Sequence, residues 1–442
     1  MQKKVMQKQK ALAVSIKEGS ASSISSSIGE TYISLFALAL QAKAIHIGIL
    51  SAISGLVSPI AQLLGSNLME KFSRKKIILY SVFLQALFWI PIASLAFFYK
   101  GFYQSHLIFL LIIFYSIFSI LFGFAYPAWF SWMGDLVPKD SRGKYFSRRN
   151  KITGAFGLAA SIAVAFLLDF FKTSGLVLLG FSLLFMIAFA FRMLSGYYIK
   201  KQYEPPFKLK RGYYFSLWQF LKKSDNYGKF AIYQALFNLA LMIASPFFVV
   251  YMRQDLQFNY VTIMAISTSS SIFYLLFTPL IGKFSDKFGN KRLLFLSGLL
   301  FSINPLLWLV IKSPLIIILI PQIIVGLSNA CLVIAYNNFT YDSVSKKHRG
   351  LCIAYTNMLS GIGIFLGSLI GGFILNYASI PGIKTIFLIF IISAFGRLVI
   401  SLLMLKLKEV KKVKPLPPMH LQIMHPFKSL NAEIGWIRHV LK

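Results

Sequence analysis

The sequence predicts an all-α integral membrane protein of twelve transmembrane helices, arranged as two six-helix half-bundles related by an axis along the membrane normal. Three observations predict it. Of 442 residues, 57% are hydrophobic, 16% aromatic and only 13% charged, a balance foreign to soluble globular domains. Apolar stretches able to cross a hydrocarbon core of ~30 Å, for which roughly 20 helical residues suffice, recur along the chain. Positive charge is dense in every second connecting segment and sparse in the others, the pattern of loops that stay cytoplasmic.

The spans fall at 22–42, 46–69, 77–99, 105–134, 150–171, 174–199, 229–252, 259–283, 292–311, 314–341, 352–377 and 382–405. The first opens with the small, polar run Ser20-Ala-Ser-Ser-Ile-Ser-Ser-Ser-Ile-Gly29, which suits a helix lining a water-filled cavity better than one facing lipid. Before it, Lys3, Lys4, Lys8 and Lys10 precede an apolar run too short for a secretory h-region, so residues 1–19 read as a basic cytoplasmic N-terminus. With both termini cytoplasmic, the inner segments hold 38 of the 46 Lys and Arg, and the six outer loops hold one each: Lys43, Lys100, Lys172, Arg253, Lys312 and Lys384. This bias places a multi-pass protein in the cell membrane. The net charge of +33 then belongs to topology, with anionic inner-leaflet lipid as its partner and no nucleic acid. Arg192 and Arg397, near the inner ends of spans, are expected to snorkel. Asp169 and Asp255, at outer span ends, are expected to be solvated.

The chain repeats itself once. Asp135-Leu-Val-Pro-Lys139-Asp-Ser-Arg142-Gly143 follows the fourth span and Asp342-Ser-Val-Ser-Lys346-Lys-His-Arg349-Gly350 follows the tenth, 207 residues later. The register persists through Asn150 and Asn357, then Gly154 and Gly361. So long a period means two related halves, and six spans in each make the repeats parallel. The domains are therefore 1–199, a basic cytoplasmic linker at 200–228, 229–405, and a basic tail at 406–442. Within the linker, Tyr213 to Lys223 with Trp218 reads as an interfacial amphipathic helix. Cys331 and Cys352 make neither a structural disulfide nor a metal site.

One loop carries more information than the rest: Gly282-Lys-Phe-Ser-Asp286-Lys287-Phe-Gly289-Asn-Lys291-Arg292. A weaker copy, Ser66-Asn-Leu-Met-Glu70-Lys71-Phe-Ser73-Arg74-Lys75, lies at the corresponding place in the first half. The pattern Gly-x-x-x-Asp-Lys/Arg-x-Gly-x-Lys/Arg-Arg resembles the cytoplasmic loop signature of the major facilitator superfamily of secondary transporters, and the likeness covers nearly the whole chain. Pro127 to Asn150 looks like a little-characterised prokaryotic branch of it. The resemblance implies a conformational lock in these loops, with Glu70 and Asp286 stabilising an outward-open state. Lys71, Arg74, Gly282, Lys287, Gly289 and Arg292 would complete it, together with Asp135, Arg142, Arg149, Asp342 and Arg349. The two glycines would let the loop turn tightly.

Candidate coupling and substrate residues come from polar groups inside spans. Glu30 is a carboxylate within the first span, which by default marks a proton or substrate site; if that span starts later, it lies near the inner interface instead. Gln62, Asn238, Gln322, Asn329 and Asn357 are cavity candidates, and the absence of clustered charge among them favours a neutral or weakly charged small-molecule solute. The eleventh span's Gly363, Gly367 and Gly371 form a small-residue stripe for close helix packing.

Other classes fit poorly. No Gly-x-x-x-x-Gly-Lys-Ser/Thr is present to hold a nucleotide, the six histidines are scattered, and no catalytic set or cofactor is indicated. No Lys or Arg occurs from Phe102 to Pro138 and the fifth span has no proline, departures that argue against the drug–proton antiport style of the superfamily. The reading is a monomeric secondary transporter working by alternating access, with proton coupling through Glu30. The alternative is a lipid-moving or ligand-sensing protein on the same fold.

Overall fold

The apolar runs fold as helices, and no strand occurs among the described residues. The structure, a computed structural model, describes residues 2–69, 71–100, 104–137, 142–206, 217–222, 226–344, 349–379, 381–382 and 384–410. In chain order the helices are α1 Gln2–Ile28, α2 Ile33–Ala39, α3 Ala44–Leu68, α4 Arg74–Ser94, α5 Gln104–Leu136, α6 Arg142–Thr173, α7 Val177–Lys201, α8 Leu217–Lys222, α9 Asn226–Met242, α10 Phe248–Val250, α11 Tyr260–Phe288, α12 Asn290–Val310, α13 Pro314–Leu319, α14 Pro321–Ser343, α15 Arg349–Tyr377 and α16 Thr385–Leu403. Eleven stretches among the described residues are long and apolar enough to cross a membrane, from Ala44–Gly65 to Thr385–Lys406. The expected first span, 22–42, is not among them: the turn at Glu30–Tyr32 divides it between α1 and α2. Helix ends beside the Lys- and Arg-rich segments form the basic end; the opposite ends form the far end.

The serines of α1 meet neighbouring helices rather than only lining water. Glu18, Ser22 and Ser25 recur at helical spacing on one face, and that face meets α7. There Glu18 accepts from the Ser195 hydroxyl at 3.1 Å, Ser22 Oγ from Arg192 at 2.6 Å, and Ser25 Oγ donates to the Ala188 carbonyl at 2.8 Å. Ser23 and Ser27 lie against Gly157 of α6. Small side chains let three helices approach, and the hydroxyls of Ser22 and Ser25 find partners on α7.

Both first helices of the two sequence repeats are interrupted at the same place. α1 stops at Ile28 and a 3-10 turn, Glu30–Tyr32, leads into α2; α9 stops at Met242 and a 3-10 turn, Ser245–Phe247, leads into α10 and a π-turn at Tyr251–Asp255. Glu30 and Ser245 stand 215 residues apart, and the next helices start 216 apart, at Ala44 and Tyr260. Pro246 in the second turn cannot continue a helix. In the first turn the Trp89 ring packs so closely on Gly29 that a Cβ has no room, and the Tyr32 hydroxyl is drawn to the Ser161 carbonyl at 2.7 Å.

By packing, the chain separates into two units that do not coincide with the two repeats. The first comprises Met1–Tyr214, Asn238–Ala265 and Thr356–Ile389; the second comprises Phe215–Phe237, Ile266–Tyr355 and Phe390–Lys442. The cause lies within the first unit, where the far-end portions of the seventh and eleventh spans pack on N-terminal helices. Ser368 of α15 donates to Ser51 Oγ of α3 at 3.1 Å, and Asp169 of α6 binds the start of α11. The glycine stripe serves two sides: Gly367 and Gly371 abut the Leu239 and Ile243 carbonyls of α9, while Gly361 abuts Gly55 of α3.

Candidate functional site

Glu30 sits in the interrupted first span, half-buried, with Arg192 and Tyr115 near enough to feel its charge. Arg192 does not snorkel. It is 8% exposed because α1 and α4 cover it, and its guanidinium binds Gln85 Oε1 through Nε at 3.1 Å and through a shorter second contact from Nη2. Gln85 is fixed in that orientation because its amide nitrogen donates to the Phe118 carbonyl at 3.1 Å. Arg192 is thus a buried cation held by neutral acceptors, with Glu30 as a counter-charge that is not hydrogen-bonded to it. A carboxylate so placed can pair with the cation or take up a proton, and the two states differ by one charge in a low-dielectric interior. Trp89 closes the site from the α4 side, stacked on Phe185 at 5.4 Å.

An ion pair lies nearer the basic end. Arg149 of α6 meets Glu18 at 3.2 Å, donates to the Ser15 carbonyl at 3.4 Å and covers the Trp129 ring at 4.7 Å. Ser195 and Arg192, one turn apart on α7, thus present their polar groups to Glu18 and Ser22 of α1.

The signature loops build one clamp in each repeat. In the first, buried Arg74 meets Asp135 at 2.6 Å, Ser131 at 3.1 Å, the Pro205 carbonyl at 3.2 Å and Glu204 at 3.6 Å. Glu204 also accepts from the Lys75 backbone N–H at 3.3 Å, so it caps α4 as well as pairing with Arg74. In the second repeat Asn290 stands where Arg74 does. It donates to Asp342 at 3.3 Å and accepts from Ser285 at 2.6 Å, while Glu409 accepts from the Lys291 N–H at 2.8 Å and so caps α12. The acids after the fourth and tenth spans, matched by the repeat, therefore occupy matching clamps. Gly289 precedes α12 at φ 92° and ψ 169°, a conformation nearly confined to glycine, whereas Ser73 caps α4 from extended backbone by accepting from Lys76 N–H. Gly289→Ala should lower stability by about 1–3 kcal/mol, read as an earlier thermal unfolding; Ser73→Gly should change little. Gly282 makes no turn, because it lies inside α11, and Asp286 is in that helix's last turn.

The other sequence candidates divide as follows. Glu70 lies outside the described residues, as do the side chains of Arg142, Asp286, Lys287 and Arg349. Lys71 is exposed and Arg292 half-buried. Gln62, Asn238 and Asn357 belong to the first unit and Gln322 and Asn329 to the second. Sequence reasoning missed Gln85, Ser22, Glu18, Glu204, Asn290 and Glu409. Glu204 and Glu409 were visible in the repeat, since they share the 205-residue offset of Arg192 and Arg397. Arg397 likewise does not snorkel: it is 1% exposed and donates to the Phe301 carbonyl at 2.8 Å. Asp255 is paired with Lys384 at 2.8 Å. Among the described residues no group of acids, histidines and cysteines could hold a metal.

A many-span helical fold with interrupted helices, paired clamps and an intramembrane carboxylate defines a multi-pass membrane protein of the transporter class. The Major Facilitator Superfamily profile matches residues 20–227 and 230–433, and the chain belongs to that family of secondary transporters. It is 31% identical over 107 residues to an uncharacterized transporter of Schizosaccharomyces pombe, covering 24% of this chain and 19% of that protein. To Multidrug resistance protein 2 of Bacillus subtilis it is 27% identical over 107 residues, 24% of this chain and 26% of the relative. The matches thus span about a fifth to a quarter of these relatives. In fold it resembles a mutant of the nucleoside transporter NupG (TM-score 0.68, 15% identity, 90% of this chain and 100% of that one). It also resembles a POT family transporter in complex with 5-aminolevulinic acid (TM-score 0.69, 13% identity, 90% and 96%).

Proposed function

We propose that the protein moves a small neutral or weakly charged solute across the cell membrane by alternating access, coupled to protons through Glu30. Glu30 at the break of the first span carries this reading. A broken helix pair at matching places in two repeats marks where transporters bind solute and ion, and the carboxylate there lies within electrostatic reach of a buried arginine. The basic end is cytoplasmic, by the charge bias, and the clamps of Arg74 and Asn290 keep each half rigid at that end. Glu70 and Asp286 form the lock between halves, and the chain works as a monomer among anionic lipids. A thermal-shift screen of sugars, amino acids, nucleosides and organic ions should find one class that stabilises the purified protein, and that class should exchange across reconstituted vesicles. Binding without exchange would make the protein a sensor; stabilisation by lipids alone would make it a lipid mover.

A further inference from the structure

Asp169, expected in solvent at the end of the fifth span, is instead bound. Its Oδ1 accepts from the Tyr260 backbone N–H at 2.9 Å and its Oδ2 from Val261 N–H at 3.0 Å. These are two of the unpaired donors of the first turn of α11, so a carboxylate on α6 serves as the cap of a helix 91 residues further on. The approach to α11 is held in place as well. Arg253 donates to the Phe258 carbonyl at 3.0 Å and covers the Tyr260 ring at 4.7 Å.

The related position in the other repeat has no such contact. Asn376 stands 207 residues beyond Asp169 and is exposed. The helix it would serve, α3, is closed locally: the Lys43 N–H donates to His46 Nδ1 at 3.0 Å. One of two equivalent far-end crossings therefore carries a charged tie, and the other carries small residues.

We propose that Asp169 is the latch that holds the far end of the molecule shut, by capping α11 from α6. It rests on the alternating-access reading, since a latch matters only where the far end must open. Opening separates α6 from the start of α11 and leaves two backbone donors and a carboxylate to water, so the tie biases the equilibrium toward the closed far end. Its strength sets how often that end opens without solute. Asp169 is then a conformational residue, distinct from the coupling carboxylate Glu30.

The test needs no solute and no proton gradient, so it can fail independently of the proposed transport. With Cys331 and Cys352 replaced by serine, Ile263→Cys puts a thiol at a position on α11 that is 1% exposed. A membrane-impermeant maleimide added from the far side should label it slowly. Asp169→Ala should raise the labelling rate about tenfold, the ratio for loss of a helix cap of ~1.4 kcal/mol, and Asp169→Asn, which keeps one acceptor, should fall between. Labelling of Asp169→Ala at the parental rate would overturn the proposal. If Asp169→Ala does not fold, Val261→Pro removes one of the two donors without removing a hydrogen bond internal to α11, since the first four N–H groups of a helix have no partner within it. It should speed labelling, and an unchanged rate would again overturn the latch.

Discussion

Replacing Arg192 by leucine is expected to destabilise the protein by about 3–6 kcal/mol, because Gln85 and Ser22 each lose a hydrogen bond from a charged donor worth roughly 1.5–3 kcal/mol. The guanidinium binds Gln85 Oε1, itself fully buried, and Ser22 Oγ. Its loss strands those acceptors and leaves Glu30 without a counter-charge. The companion experiment is the double replacement Arg192→Leu with Glu30→Gln. If the two groups sense each other as their placement implies, the double variant recovers part of the loss and the two effects fail to add by about 1 kcal/mol or more. Chemical or thermal unfolding of the four proteins in one detergent reads both quantities, and strict additivity would show that Glu30 and Arg192 do not interact.

Arg74→Ala comes next in size, at about 3 kcal/mol, the low end of the range for a buried pair. Its side chain is fully buried, but Asp135 is 47% exposed and water can take over there. Arg74→Lys should recover only a fraction, because one ammonium cannot serve Asp135, Ser131 and the Pro205 carbonyl together. The counterpart Asn290→Ala should cost about 1 kcal/mol, as a neutral hydrogen bond does. A first-repeat clamp that melts no earlier than the second would contradict the assignment of Arg74 as the anchor.

Much of this was legible in the sequence, and the exceptions share a cause. The recurrence of apolar spans is summed over many residues, so no single contact can overturn it. The match of Asp135 with Asp342 survived into geometry because each repeat folds the same local clamp. Glu30 stood out as a carboxylate in a span, but the turn around it did not. Gly29 is a weak break by itself; Trp89 on one side and the Ser161 carbonyl on the other decide it. Arg192 and Asp169 were misread for a related reason. A cation near a span end and an acid at a loop are solvated by default, and only partners 107 and 91 residues away show otherwise.

The most direct test of the coupling role places wild-type protein and Glu30→Gln in vesicles with an imposed proton gradient and follows solute and internal pH together. The wild type should accumulate solute and move protons with it, and a protonophore should abolish both. Glu30→Gln should still equilibrate solute but neither concentrate it nor move protons. A Glu30→Gln protein that concentrates solute as the wild type does would contradict the account.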